Sequence, residues 1–170
     1  MSKYTIKSGS NKRILILSGA IGSVIAFYYY SMMPAMTAIQ FGFDGQATGF
    51  AGKGVFLLIT GGLHIFLTAL FYFTPVLLNK IPREYINLPS KEYWFAPVRQ
   101  VETTRKIGGE MCLFGTFTNV FLIFCSAMSY QANLTENKSL DTGMFLAGLV
   151  VYLAVTAFWA YRFHRDFQRP

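Results

Sequence analysis

The sequence predicts an all-α fold, a polytopic membrane protein with four transmembrane helices. Of its 170 residues, 53% are hydrophobic and 14% are charged, whereas roughly 25% of residues are charged in ordinary soluble domains. The apolar residues are collected into four blocks, each near the roughly 20 residues with which a helix crosses about 30 Å of hydrocarbon. These observations argue against a disordered chain, a disulfide framework and a water-soluble enzyme domain.

Each block has the features of a helix in lipid. The first ends at Pro34, which cannot continue a helical hydrogen-bond ladder, and none of the four carries a charge in its central turns. A cleaved signal peptide is the alternative for the first block, but the run is long and no Ala-x-Ala site follows. We predict a single membrane domain over residues 1–170, with helices at about 14–33, 55–78, 107–129 and 143–161, an outer loop at 34–54 and an inner loop at 79–106.

The basic residues predict the orientation of these helices. Thirteen of the 15 precede the first block, lie in the inner loop or follow the fourth block, whereas Lys53 and Lys138 lie in the two outer loops. Positive residues near helix ends are retained in the cytoplasm, so both termini are expected there. This topology, with attraction to anionic lipid, explains the net charge of +7 without a nucleic-acid partner.

Polar residues inside the predicted helices form a candidate intramembrane site. His64 lies roughly 16 Å along the helix from Lys53, near the bilayer midplane, and Thr60 and Thr68 share its helix face. Asn119 in the third helix is expected at a comparable depth, so His64 and Asn119 are candidate partners. A hydrogen bond that fixes helix packing and a proton-relay or ligand-binding role both remain open.

The third block also carries Glu110, about one turn from its inner end and four residues after Lys106. An ion pair at the membrane boundary, with Lys106 as a possible partner, is the favoured interpretation, and a gated proton or cation site is the alternative. His64 and His164 are the only histidines, and Cys112 and Cys125 lack metal-site spacing. We therefore predict no metal site, no cofactor and no catalytic residues.

The outer loop is predicted to be ordered. Asp44-Gly45 is a strong tight-turn signal, and phenylalanines lie among several glycines on either side of it. A loop of this kind is expected to fold against the outer face of the helices. The candidate binding residues of this loop are Phe43, Asp44, Gly45 and Lys53.

The inner loop is divided into short pieces by three prolines. Tyr93-Trp94-Phe95 is expected to dip into the membrane interface, and the stretch after Pro97 is expected to begin the helix that leads into the third block. The candidate residues of this loop are Asn87, Tyr93, Trp94 and Arg99.

Together the two loops resemble those of the bacterial SdpI-type immunity and signalling membrane proteins, which protect against a sporulation-delaying toxin. The outer-loop resemblance rests on Phe43, Asp44, Gly45, Gln46, Gly49, Phe50 and Lys53. The inner-loop resemblance rests on Asn87-Leu88-Pro89-Ser90-Lys91-Glu92-Tyr93-Trp94, with Pro97, Arg99 and Glu102. Because most members of that family have no assigned activity, the resemblance implies a bacterial inner-membrane, non-enzymatic protein and only secondarily immunity.

The expected function is that of an accessory or immunity/regulatory protein that docks another component through its ordered loops. The expected partners are the lipid bilayer and another membrane protein or a peptide. Two alternatives remain: a structural subunit of a larger membrane complex, and a small ion or proton transporter that uses His64.

Overall fold

The computed structural model describes the backbone of residues 3–168 and the side chains of residues 8–168. The side chains of Lys3 and Lys7 and all of Arg169, which belong to the predicted basic ends, lie outside the described residues. The elements follow in the order α1 (Lys3–Met32), β1 (Met36–Phe41), β2 (Ala47–Gly52), α2 (Lys53–Tyr72), α3 (Thr74–Leu78), a 3-10 turn (Arg83–Tyr85), α4 (Lys91–Trp94), α5 (Gln100–Leu134) and α6 (Thr142–Gln168).

Within residues 3–168, four helices are long and apolar enough to cross a membrane, namely Ser8–Met32 of α1 and the whole of α2, α5 and α6. The predicted all-α fold with four transmembrane helices is therefore confirmed, with a small two-stranded sheet added to it in the described part of the chain. Three of the helices are longer than the predicted blocks. Polar residues at their ends, such as those before Ile14 and after Gln100, continue the helical ladder past the apolar segment.

The second predicted helix, at about 55–78, is divided in two. Its long part ends at Tyr72, and the short α3 begins after Phe73 with Pro75 in its first turn. Proline has no backbone N–H to donate to the preceding turn, so the helix breaks there. The ring of Pro75 then lies against Gly108 of α5, where an added Cβ would approach Pro75 Cδ to 3.2 Å.

The long helix α5 is the centre of the bundle, and α1, α2, α3 and α6 all pack on it. Small residues allow the helices to approach closely: a Cβ at Gly115 would lie 2.7 Å from Phe71 Cγ, and one at Gly148 would lie 2.6 Å from Phe124 Cζ. In a bilayer, where water does not drive helices together, such close van der Waals packing is a main source of helix association.

The two ends of the bundle differ. Asn11 at the start of α1 donates from Nδ2 to Gly109 O of α5 at 2.9 Å, and Trp94 Nε1 donates to Phe167 O of α6 at 2.8 Å. Residues near both chain termini and the segment 79–99 therefore share one end, which we call the terminal end. The β1–β2 hairpin and the loop 135–141 share the other, which we call the hairpin end. The predicted start of a helix after Pro97 is confirmed, because α5 begins at Gln100.

Candidate functional site

The outer loop forms an antiparallel β-hairpin. Met36 pairs with Gly52 and Phe41 pairs with Ala47, with irregular register between Ala38 and Phe41. The predicted order of this loop is confirmed, but its strands were not foreseen, since the pieces are short and rich in glycine.

Asp44-Gly45 forms the predicted turn. Gly45 has φ of +82°, a backbone conformation that favours glycine. Asp44 Oδ1 accepts a hydrogen bond from Gln46 N at 3.1 Å, and Gly42 N donates to Gln46 O at 2.8 Å. The carboxylate of Asp44 thus closes the turn from within, so its first role is structural.

The hairpin is tied to α5 and to the loop 135–141 that follows it. Asn133, near the end of α5, accepts from Ala38 N at 2.7 Å through Oδ1 and donates to Ala38 O at 2.9 Å through Nδ2. At the turn of the hairpin, Leu140 N donates to Gly45 O at 2.8 Å. The amide of Asn133 satisfies both backbone groups of a residue that is 0% exposed, as a neighbouring strand would do.

The hairpin turn presents one aromatic side chain to its surroundings. Phe43 is 104% exposed, more than any other large hydrophobic residue of the described chain. Lys53, the fourth predicted residue of this loop, lies instead at the start of α2, where its ammonium is 4.8 Å from the ring centroid of Tyr30. The structure therefore brings Phe43, Asp44 and Gly45 together at the turn and separates Lys53 from them.

The intramembrane polar residues form a hydrogen-bonded cluster between α1, α2 and α5. His64 Nδ1 lies 3.1 Å from Asn119 Oδ1, so their predicted partnership is confirmed. Asn119 Nδ2 reaches Thr68 Oγ1 at 3.0 Å and Ser18 Oγ at 3.3 Å. His64 and Asn119 are 1% and 0% exposed.

The hydrogen bonds of Ser18 fix the directions within this cluster. Ser18 Oγ donates its proton to Leu15 O at 2.9 Å, so it accepts from Asn119 Nδ2. Asn119 therefore turns Oδ1 toward His64, and Nδ1 of the imidazole must carry a proton to donate to it. Thr60, the remaining predicted member, donates to Phe56 O of its own helix at 2.8 Å and lies outside the network.

Glu110 forms an ion pair with a residue of another helix, Arg162, which the sequence did not predict. Its Oε2 accepts from Arg162 Nη2 of α6 at 2.8 Å, and its side chain is 9% exposed. Lys106 donates to Asp166 O at 3.0 Å, with its ammonium 4.3 Å from the ring centroid of Trp94. The boundary ion pair is present, and it joins α5 to α6.

The inner-loop residues gather around the end of α6. Trp94 meets Phe167 edge to face with ring centroids 5.0 Å apart, and Arg99 Cζ lies 3.9 Å from the ring centroid of Tyr93. Trp94 is partly buried against the cluster of Leu88, Phe95, Ile107 and Phe167. Asn87 is exposed, apart from these contacts. Aromatic and basic residues thus tie the inner loop to the terminal end.

The sequence did not predict the polar contacts of three residues that are central to the structure, namely Ser18, Asn133 and Arg162. Asn133 and Arg162 are strongly polar residues near the ends of transmembrane segments, and that position was the available signal. Their partners are far away in the chain, so only the packing of the helices identifies them. Among the described residues, no group of three or more His, Cys, Asp or Glu side chains is placed to hold a metal ion.

Part of the chain matches the model of a protein family. Residues 18–63 match a domain of unknown function, DUF1648, and this stretch runs from Ser18 through the hairpin to the middle of α2. No curated protein matches the chain. No solved structure matches it either.

Proposed function

We propose that this chain is a non-enzymatic accessory or regulatory protein of the bacterial inner membrane that docks another membrane protein through the tip of its hairpin. The observation that carries the proposal is the combination of a fixed hairpin with a fully exposed Phe43 at its turn. A single exposed apolar residue is ordinary on a protein surface. Phe43 differs because hydrogen bonds hold the backbone beneath it. Its side chain can therefore bind a partner without the entropy loss of ordering a loop.

The tie to α5 lowers the free-energy cost of binding. A flexible loop loses conformational entropy when a partner orders it, whereas a loop ordered beforehand loses little. The two bonds from Asn133 and the bond from Leu140 to Gly45 hold the hairpin before any partner arrives. Aromatic residues are also enriched among the residues that contribute most to binding.

The same proposal places the terminal end in the cytoplasm. Basic residues described at that end include Lys12, Arg13, Arg105, Lys106 and Arg162, whereas Lys53 and Lys138 are those of the hairpin end. The positive-inside rule then puts the hairpin on the outer face of the inner membrane. A partner would be another protein of that membrane or a peptide that approaches from outside.

A more specific version of this proposal is that the protein gives immunity against a toxic peptide. It is supported by the resemblance of the loops to those of the SdpI-type proteins. A role in immunity would use the hairpin as the surface that meets the toxin or its receptor.

Affinity purification from native membranes in mild detergent tests the proposal. We expect a partner at fixed stoichiometry with the wild-type chain, lost with Phe43→Ala and retained with Phe158→Ala. Phe158 is a matched control because it is 66% exposed on α6, remote in sequence from the hairpin. Recovery of the chain alone, or equal recovery of the partner by both variants, would count against docking through Phe43.

A structural subunit of a larger complex is the second candidate, and α6 favours it. None of the most apolar window of α6 is buried within the chain, compared with 33% for α5. Its outward face is free to pack permanently on a neighbouring subunit. Under this alternative, the partner would stay bound with Phe43→Ala and would be lost after apolar residues of α6, such as Val150 and Leu153, are replaced by serine.

The transporter alternative rests on His64, and the geometry supports it less well. His64 bonds to Asn119, and Asn119 in turn donates to Ser18 and to Thr68 in the bundle interior. Glu110 is paired with Arg162 near the terminal end. Ion or proton flux in proteoliposomes that His64→Ala abolishes would favour this alternative over docking.

A further inference from the structure

A groove on the outer surface of the bundle, between α1 and α2, reaches the edge of His64, which is 1% exposed. It has a volume of about 410 Å³, and its lining includes Ile16, Gly19, Ala20, His64, Ile65 and Tyr72. Small-molecule sites typically measure roughly 300–1,000 Å³ and combine apolar walls with a few polar groups. Its length along α2, from His64 to Tyr72, is about 12 Å at the helical rise.

The small residues of α1 create the groove. Gly19 and Ala20 carry little or no side chain, and the imidazole of His64 lies against Gly22, where an added Cβ would be 2.6 Å from Nε2. Larger side chains at these positions would fill the space beside the ring. At its far end the groove reaches Tyr72, whose ring lies 4.9 Å from the ammonium of Lys12.

The hydroxyl groups of Ser23 and Thr68 in the lining already make hydrogen bonds. Ser23 Oγ donates to Gly19 O at 2.9 Å, and Thr68 Oγ1 accepts from Asn119. The bond from Nδ1 to Asn119 leaves Nε2 as the other polar atom of the imidazole, and the described residues supply it with no hydrogen bond. In a neutral imidazole with its proton on Nδ1, Nε2 is an acceptor.

We propose that this groove binds a small lipophilic molecule with a hydroxyl group, of the phenol or quinol class, whose O–H donates to Nε2 of His64. The ring and any short chain of the ligand lie along Ile16, Ile65 and Phe73. The site is distinct from the hairpin, and its occupancy does not depend on the docking proposal.

The chemistry of the groove distinguishes this ligand from other occupants in a bilayer. An acyl chain fills apolar space but offers no donor to Nε2. A second transmembrane helix could also pack into the groove, but its backbone N–H groups already bond within that helix. Such a helix would leave Nε2 without a donor unless one of its side chains reached the imidazole. A hydroxylated ring both packs against the apolar walls and donates to the imidazole acceptor.

The test uses the purified chain in phosphatidylcholine nanodiscs, with isotope-labelled histidine and two probes, para-nonylphenol and para-nonylanisole. The methyl ether has nearly the same shape but has lost the donor. We expect nonylphenol to shift the Nε2 resonance of His64 saturably and to bind roughly three- to tenfold more tightly than nonylanisole, the effect of one neutral hydrogen bond. His164 in the exposed end of α6 is the internal control.

Two variants separate loss of the site from loss of the fold. Ala20→Leu fills the groove from its exposed edge and should weaken nonylphenol binding at least tenfold, while Ala157→Leu on the exposed face of α6 should leave it unchanged. His64→Gln assigns the resonance and should abolish the preference for the phenol. Equal binding of both probes with an unmoved His64 resonance would mean that an acyl chain occupies the groove and would overturn the proposal. A concentration-dependent dimer that Ala20→Leu dissociates would also overturn it, with a second copy as the occupant.

Discussion

Asn133 holds Ala38 by both of its backbone groups, with its Oδ1 2.7 Å from Ala38 N and its Nδ2 2.9 Å from Ala38 O. A side chain at the end of a membrane helix thereby continues the hydrogen bonding of a β-hairpin. This contact makes the hairpin part of the rigid bundle, and the docking account depends on that rigidity.

Asn133→Ala is expected to release the hairpin from α5. Two buried backbone groups of Ala38 lose their partner, which costs about 1–3 kcal/mol. Hydrogen exchange at the Ala38 amide should accelerate by an order of magnitude or more, while exchange in the middle of α2 should stay unchanged. The matched control is Asn137→Ala, an exposed asparagine of the following loop. Unaltered exchange at Ala38 in the Asn133 variant would show that the hairpin is held by other contacts.

Asn119→Leu is expected to weaken the packing of α1, α2 and α5. Intramembrane hydrogen bonds typically contribute about 0.6 and at most about 2 kcal/mol, so a loss of roughly 1–2 kcal/mol is predicted for an amide with three partners. Unfolding monitored by steric trapping in bicelles measures it. In a double-mutant cycle with His64→Leu, the combined loss should be smaller than the sum, because both changes remove the same bond. Thr60→Val, outside the network, should be nearly neutral, and strict additivity would contradict the coupling.

Gly22→Ala should displace the imidazole of His64. The added methyl would lie 2.6 Å from Nε2, and the ring cannot turn away freely because Nδ1 is held by Asn119. We expect a loss of about 1–3 kcal/mol, the range for overpacking in a close-packed interior. Gly62→Ala in α2 is the control, since an added Cβ there meets nothing within 4 Å. Equal stabilities for the two variants would refute the close approach of α1 and α2 at this level.

Arg162→Gln should loosen α6 from α5. The change removes a cation from a carboxylate whose side chain is 9% exposed. Because Arg162 is itself 30% exposed, the expected loss is about 2 kcal/mol, below the roughly 3–5 kcal/mol of a fully buried pair. Arg165→Gln removes an ion pair with Asp166, in which Nε and Oδ1 are 3.9 Å apart and both side chains are about half exposed. This change should cost less than about 1 kcal/mol. Differential scanning calorimetry in nanodiscs compares the stabilities of the two variants. A greater loss of stability with Arg165→Gln would contradict the proposed role of Arg162 in joining α6 to α5.

The four transmembrane helices could be predicted from the sequence, but only some of the polar contacts between them could. Apolar blocks identify the four transmembrane helices because a segment in hydrocarbon must be mostly apolar. The equal depth of His64 and Asn119 in their helices predicts that they meet. The ends of the helices extend further because hydropathy senses only the part in hydrocarbon, whereas α1 and α6 continue as helices through polar residues.

The missed features depend on the rotation and the relative depth of helices. Arg162 reaches Glu110 because α6 turns that face toward α5, and no local pattern records the rotation. Asn133 reaches Ala38 across 95 residues. Its position at the end of an apolar helix indicated a polar contact but gave no information about the partner.

The most direct measurement of the docking account is photocrosslinking from position 43 in living cells. A benzophenone amino acid in place of Phe43 should give one discrete protein adduct, and the yield should fall when Asn133→Ala frees the hairpin. The same group in place of Phe158 should react mainly with lipid. If position 43 also yields only lipid adducts, the hairpin tip is a membrane anchor, and the docking account is wrong.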